Sequence, residues 1–311
     1  MNIQQLEYIV AVERVGSFSK AADACFVTQP TLSMMVQKLE EELNLTLFDR
    51  SKQPIAVTDD GRAILEQAKK ILKETAVLKN IAKENLKEVT GELKIGIIPT
   101  LAPYLLPLFL KEFMQKYPLV KLVISEQTTQ NIIAGLNDNT LDVGLLATPL
   151  NNAGLKEIPL FYERFLVYMG GNMAKTKKYV IAKDIDVNKL WLLEEGHCLR
   201  SQILNLCELR KAGGNNANLE YESGSIEALM NIVDINEGIT VIPELATLTF
   251  DKKRKAGLKE FKAPVPVREI SLVTYRHFVK HKLLEALKNE IIEGVSKVYK
   301  LGKVQKNVVA I

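Results

Sequence analysis

Between Thr58 and Thr90 the chain carries a stretch whose apolar side has nothing within it to pack against. Ile64, Ala68, Ile71, Thr75, Leu78 and Ala82 recur at alternating spacings of four and three, the a/d seam of a helix that needs a partner. Lys69, Lys70, Lys73, Lys79, Lys83 and Lys87 fall on its other sides. Thr58 or Asp59 is placed to cap the helix, and Thr90-Gly91 ends it. About three heptads are short for a free-standing coiled coil, so the seam is expected to close on a second copy. A linker and dimerisation helix over 59–90 divides the chain into an N-terminal part, 1–58, and a longer part after it.

The N-terminal part reads as a compact helical unit. Leu6, Ile9, Val10 and Val12 give a first helix a buried face, and Gly16 stops it. Ser17 is an N-cap for a second helix holding Lys20, Ala21, Ala22 and Ala24, and Cys25 in the following turn reads as a small buried hydrophobe. Thr28-Gln29-Pro30 starts a third helix, with Leu32, Val36 and Leu39 facing inward. Gln29, Thr31, Ser33, Met34 and Gln37 are left pointing outward. A tight turn between two helices, the second presenting short polar side chains at its start, is how a helix-turn-helix enters a major groove. A three-helix bundle with a solvated polar face fits the pattern equally. Charge does not decide, because residues 1–60 hold five Lys and Arg against nine Asp and Glu. A DNA-binding unit of this kind must confine its cations to one face, and Arg50 and Lys52 suit a wing that touches phosphate.

Residues 92–301 alternate strand and helix signals. Leu93–Ile98, Leu119–Ile124 and Leu141–Ala147 read as strands, with helices over Leu105–Tyr117 and Ile132–Asn137 between them. That βαβαβ run implies a parallel sheet covered on both faces. Phe165–Met169 opens a second set that continues through strands at Lys189–Leu193 and Gly238–Pro243 and a helix over Ile226–Asn236. Ile270–Tyr275 and a helix over Lys282–Tyr299 return to the first sheet. The expected architecture is α/β, with two Rossmann-like lobes flanking a cleft: lobe I over 91–161 and 268–301, lobe II over 162–267.

The chemistry candidates thin out quickly. Gly170-Gly171 and Gly213-Gly214 lack the context of a phosphate fingerprint, and no nucleophile elbow is present. His277 and His281 stand at i,i+4 in a basic region, and no histidine–carboxylate set has metal spacing, so neither metal nor cofactor is expected. No apolar run reaches membrane-span length and no leader pattern opens the chain, so a cytoplasmic protein with no membrane contact is expected. Three cysteines in 311 residues make no disulfide framework. Cys198 nevertheless stands between His197 and Arg200, cationic neighbours of the kind that favour a thiolate. Cys207 follows. On an unbroken helix the two sulfurs would lie on opposite faces, roughly 13 Å apart along the axis, whereas a disulfide needs Cα atoms about 4.4 to 6.8 Å apart. The pair either stays reduced in an ordered segment or cross-links by remodelling it.

Several motifs occur together. Ser17-Phe18-Ser19-Lys20-Ala21-Ala22, Thr28-Gln29-Pro30-Thr31-Leu32-Ser33, Lys38-Leu39-Glu40, Leu47-Phe48-Asp49-Arg50 and Thr58-Asp59-Asp60-Gly61 resemble the all-α winged helix-turn-helix of LysR-type transcriptional regulators. The resemblance runs on through the linker helix and both lobes, which it implies are periplasmic-binding-protein-like. Gly196-His197-Cys198-Leu199-Arg200 with Cys207, Gly96–Thr100, Pro103–Pro107 and Gly238–Thr240 resemble the peroxide-sensing members of that family. The resemblance implies an activator that binds double-stranded promoter operators, forms a homodimer and homotetramer, and works with RNA polymerase. It implies Cys198 as the peroxidatic thiol and Cys207 as its resolving partner, restored by a cellular thiol reductant. Thr100 and Thr128 match positions that hydrogen-bond hydrogen peroxide and a water, and His197 and Arg200 would hold the thiolate. The DNA-reading positions it carries over are Ser17, Lys20, Gln29, Pro30, Thr31, Ser33, Gln37, Arg50 and Lys52. Ser201 departs from the pattern, since an acidic residue usually follows that arginine, and Arg268-Glu269 stand where two arginines often do. Two other readings stay open: a regulator answering a small molecule in the cleft, and a thiol peroxidase.

Overall fold

The computed structural model describes residues 1–84, 88–150, 152–171, 179–180, 185–186, 189–193, 198–207, 224–276, 278–299 and 307–310. His197, His277, Lys87, Gly213-Gly214 and the side chains of Lys73, Lys79, Ala82 and Lys83 lie outside the described residues. The chain divides into two compact units, Met1–Leu86 and Lys87–Ile311. Among the described residues no helix is long and apolar enough to cross a membrane.

In the first unit, α1 (Ile3–Val15) opens on a capping box between Asn2 and Gln5 and ends at Gly16, whose φ of 62° is the left-handed conformation glycine adopts without cost. Ser17 caps α2 (Phe18–Ala24), and Thr28 caps α3 (Gln29–Leu43) with Pro30 in its first turn, as the sequence predicts. β1 (Phe48–Asp49) and β2 (Ala56–Val57) pair antiparallel as a small wing. Cys25 is half-buried rather than buried, and loss of solvent raises its thiol pKa.

The long helix α4 (Asp59–Glu84) starts at Thr58, whose hydroxyl accepts the Gly61 amide at 3.0 Å. Its first turns correct the expected seam. Gly61, Leu65 and Ala68 are buried, Leu72 packs beside them, and this face lies on α1 within the same chain. Ile64 and Ile71 are half-buried. Two 4-3 repeats, one through residues 61, 65, 68 and 72 and one through 64, 68 and 71, meet at Ala68, and periodicity alone could not choose between them. Lys69 is not a free outer cation either, because its ammonium lies 3.1 Å from Glu13 and 3.0 Å from Glu66. Farther along, Leu78 is 70% exposed.

The second unit begins with β3 (Gly91–Ile97), α5 (Ala102–Lys116), β4 (Val120–Glu126), α6 (Thr129–Asn137) and β5 (Val143–Thr148), with β4-β3-β5 parallel. There follow β6 (Leu155–Met169), β7 (Tyr179–Val180), α7 (Cys198–Leu206), α8 (Ile226–Ile235) and β8 (Ile239–Pro243). A 3-10 segment (Glu244–Thr249), α9 (Lys252–Ala256), β9 (Leu258–Phe261), β10 (Val267–Tyr275) and α10 (His281–Val298) complete the order. The sheet runs β4-β3-β5-β10-β6-β9-β7, with β8 also on β6.

β6 is one strand of 15 residues. Leu155–Arg164 pair with β10, and Phe165–Met169 pair with β8, so a lobe boundary drawn between 161 and 162 falls inside it. Its burial does not alternate cleanly, and Pro159 interrupts the apolar pattern, which is why only its second half reads as a strand. Lys189–Leu193 contributes a single bridge, Leu190 to Ile239, rather than a strand. Trp191 then rides on Gly238, where an added Cβ would meet the indole at 2.5 Å.

Trp191, the chain's one tryptophan, reports the second unit alone. Leu65→Ala is expected to destabilise the first unit by about 2 to 5 kcal/mol. In urea this should move an early helical transition seen by circular dichroism while the Trp191 fluorescence transition stays in place. An unchanged helical transition would show that Leu65 is not an internal core residue.

Candidate functional site

Helix α3 presents its polar end because its apolar residues are spent inward. Leu32, Val36 and Leu39 are buried, while Gln29, Pro30, Thr31 and Gln37 are exposed and Ser33 is half-buried. The Thr28 and Thr31 hydroxyls lie 2.8 Å apart, which fixes the first turn. Ser17 accepts the Lys20 amide at 3.4 Å, and the Lys20 side chain is exposed. Lys52 is exposed, 3.6 Å from Asp49.

Arg50 is more constrained than its place on a wing suggests. Its Nη2 donates to Glu40 at 3.0 Å and its Nη1 to Ser33 at 3.3 Å, and the guanidinium sits 4.7 Å from the centre of the Phe18 ring. The other Glu40 oxygen accepts the Leu47 amide at 2.7 Å and the Phe48 amide at 3.3 Å. A single carboxylate therefore holds α3, the wing strand and the wing arginine in register.

In the second unit the centre of charge is wholly buried. Thr100, just past β3, is 1% exposed; Arg268 on β10 and Glu163 on β6 are both at 0%. Arg268 donates to Glu163 at 2.8 Å, to the Thr100 hydroxyl at 3.1 Å and to the Thr100 carbonyl at 3.2 Å. Glu163 also accepts the Leu245 amide at 2.7 Å. Burial pushes the Glu163 carboxyl up from its usual range, and Arg268 opposes that rise. The resemblance noted Arg268-Glu269 but gave Arg268 neither a role nor a partner. Its signal was available only once register was known, since Arg268 and Glu163 face each other across β10 and β6. Thr128 caps α6 by accepting the Asn131 amide at 3.5 Å, and Gln127 beside it donates its amide to Ile97 at 3.0 Å, tying the ends of β3 and β4 together.

α7 carries the cysteines. Cys198 is its first residue and is 5% exposed; Cys207 follows its end, half-buried, and both are free thiols. Leu199, Gln202 and Ile203 are buried on the same helix, and Ser201 is exposed. Arg200 donates to the Leu193 carbonyl at 2.8 Å, which ties Leu193 to the first turn of α7. Among the described residues no hydrogen bond joins Cys198 to Thr100, Thr128 or Arg200. Burial pushes the Cys207 thiol up to about 11. Sequence reasoning also missed Gln202 and Asn205, which donate to the carbonyls of Val309 and Ala310.

Residues 3–62 match the bacterial regulatory helix-turn-helix protein of the lysR family, and residues 87–296 match the LysR substrate binding domain. The chain belongs to the LysR family. This LysR-family chain is 34% identical over 274 residues to a hydrogen peroxide-inducible genes activator of Haemophilus influenzae, spanning 88% of this chain and 90% of that protein. To the DNA-binding transcriptional dual regulator OxyR of Escherichia coli it is 36% identical over 275 residues, spanning 88% and 89%. A solved full-length OxyR variant from Pseudomonas aeruginosa superposes with a TM-score of 0.75 at 30% identity, covering 94% of this LysR-family chain and 98% of that one. A hydrogen-peroxide-bound OxyR mutant from Corynebacterium glutamicum gives 0.59 at 29% identity, covering 95% and 93%.

A thiol held near 11 is scarcely ionised at neutral pH. In reduced Cys25→Ser/Cys198→Ser protein, iodoacetamide at pH 8 should label Cys207 about 10- to 100-fold more slowly than the urea-unfolded chain. The folded rate should keep rising toward pH 11; a plateau near pH 9 would mean that the thiol is solvated.

Proposed function

We propose that this chain is a DNA-binding transcriptional activator that senses hydrogen peroxide through a reversible Cys198–Cys207 disulfide. The observation that carries the reading is the placement of two free thiols at opposite ends of one nine-residue helix. Relatives named as a hydrogen peroxide-inducible genes activator and as OxyR supply its context.

The chemistry balances with the two thiols and one peroxide. The Cys198 thiolate attacks one peroxide oxygen, the O–O bond breaks, and the departing hydroxide takes up a proton to become water. Cys198 is left as a sulfenic acid. The Cys207 sulfur then displaces its hydroxyl, the S–S bond forms, and the second water leaves. Two thiols are oxidised by two electrons, and a cytoplasmic thiol reductant returns them.

In this reading Thr100 and Thr128 bind the peroxide and its water, while His197 and Arg200 hold the thiolate. Because the Thr100 oxygen accepts from Arg268, its own hydrogen stays free to donate. Exposed Ser201 leaves the proton relay without the acid usual at that position, so solvent serves there. Disulfide formation dismantles α7, and the bond biases a two-state element. The far part of α4, where Leu78 is exposed, buries its seam on a second copy, and dimers pair into a homotetramer on double-stranded operators in contact with RNA polymerase. A sensor needs one reaction per reductive cycle, so steady-state peroxide consumption should stay stoichiometric rather than turn over as a peroxidase would.

Mass analysis after stoichiometric peroxide is expected to show loss of two hydrogens and a linked Cys198–Cys207 peptide. Absence of that peptide would favour a regulator governed by a small molecule between the lobes. Cys198→Ser should abolish peroxide-dependent transcription and keep DNA binding, and Cys207→Ser should let a sulfenic-acid probe label Cys198. On DNA, Gln29 and Thr31 variants should change sequence choice. Arg50→Ala should weaken binding on every sequence and flatten the slope of log K against log salt by about 0.9; an unchanged slope would restrict Arg50 to its internal contacts.

A further inference from the structure

We infer that α7 and the start of β10 form a binding seat for an extended peptide strand, occupied by this chain's own segment 307–310 and present only while α7 is helical. The seat has two walls. On one, the Val267 amide donates to the Asn307 carbonyl at 3.1 Å and the Val309 amide donates to Val267 at 2.9 Å, making a parallel bridge between Val267 and Val308. β10 is flanked there by β6 through Val267–Arg164, whereas β5 pairs with β10 only from Glu269 onward. Segment 307–310 fills the slot that β5 leaves beside Val267.

The other wall is the redox helix. Gln202 Nε2 donates to Val309 at 3.0 Å, and Asn205 Nδ2 donates to Ala310 at 3.2 Å, one turn apart on the same face of α7. Gln202 is wholly buried and its Oε1 has no partner among the described residues, so loss of Val309 would leave both ends of the amide without one there. Segment and helix therefore stabilise one another.

Both donors lie between Cys198 and Cys207. Helical geometry separates those residues by about 13 Å along the axis, and a disulfide requires Cα atoms about 4.4 to 6.8 Å apart. The turns that carry Gln202 and Asn205 must unwind before the sulfurs meet. This step rests on the disulfide reading, in which hydrogen peroxide takes two electrons from the two thiols and leaves as two waters. Oxidation then removes one wall of the seat, releases 307–310, and bares the edge of β10 one residue before Arg268.

Hydrogen–deuterium exchange on the full chain, reduced and after stoichiometric peroxide, tests this. The Val309 amide, which donates to Val267, should be protected when reduced and exchange at least 10-fold faster when oxidised. A reduced chain ending at Lys306 should exchange its 199–207 amides about 5- to 100-fold faster. Asn205→Ala, at an exposed site, should give a smaller rise and serves if the shortened chain fails to fold. Unchanged α7 exchange in a folded shortened chain, or in Asn205→Ala where that chain does not fold, overturns the seat whatever peroxide does. A linked Cys198–Cys207 peptide with the Val309 amide still protected overturns redox release and leaves peroxide sensing intact. With no linked peptide the sensing reading and release fall together, and the α7 exchange still decides the seat.

Discussion

The Arg268–Glu163 pair organises the second unit because it is charged, wholly buried and shared among four parts of the chain. Removing a guanidinium and a carboxylate from water costs several kcal/mol each, and mutual attraction offsets this only when the remaining donors and acceptors are also used. Here they are. The arginine fork reaches Glu163, the Thr100 hydroxyl and the Thr100 carbonyl, and the carboxylate takes the Leu245 amide as well. The end of β3, the middle of β6, the start of β10 and the 3-10 segment are thereby fixed around one point. A threonine proposed to bind peroxide owes its orientation to an arginine two strands away in the sheet.

α7 shows the opposite design. A helix this short is marginal in water by itself, so its order comes from burying Leu199 and Ile203 and from contacts at its flanks. That is the stability the proposed disulfide switch asks of an element that holds two thiols apart and then gives way. Burial, which pushes the half-buried Cys207 thiol up to about 11, fits the proposed switch, in which Cys207 meets Cys198 as the segment opens.

Much of the fold was legible in the sequence wherever one period dominated. The caps at Ser17 and Thr28, the inward face of the recognition helix and the parallel β4-β3-β5 run follow from local signals. Legibility failed where two patterns competed or where partners were distant. The 4-3 repeat of α4 exists in two registers that meet at Ala68, and the unwritten partner of one is α1. β6 hides its length because it changes neighbours midway, so its burial follows no single alternation. At the candidate site the cysteines announced themselves by their neighbours. Arg268, Gln202 and Asn205 did not, since their partners lie more than a hundred residues away.

The Arg50–Glu40 contact has one further consequence. A guanidinium that already has a carboxylate adds to DNA affinity only the difference between its two partners. Any phosphate meeting Arg50 must compete with Glu40, and the displaced carboxylate must keep its hold on the Leu47 and Phe48 amides. Phosphate is the same on every duplex, so the exchange lowers the contribution of Arg50 equally on all sequences. In a unit richer in acids than in bases, an internal counter-ion of this kind lowers what the wing cation can add to a phosphate contact, whatever the sequence.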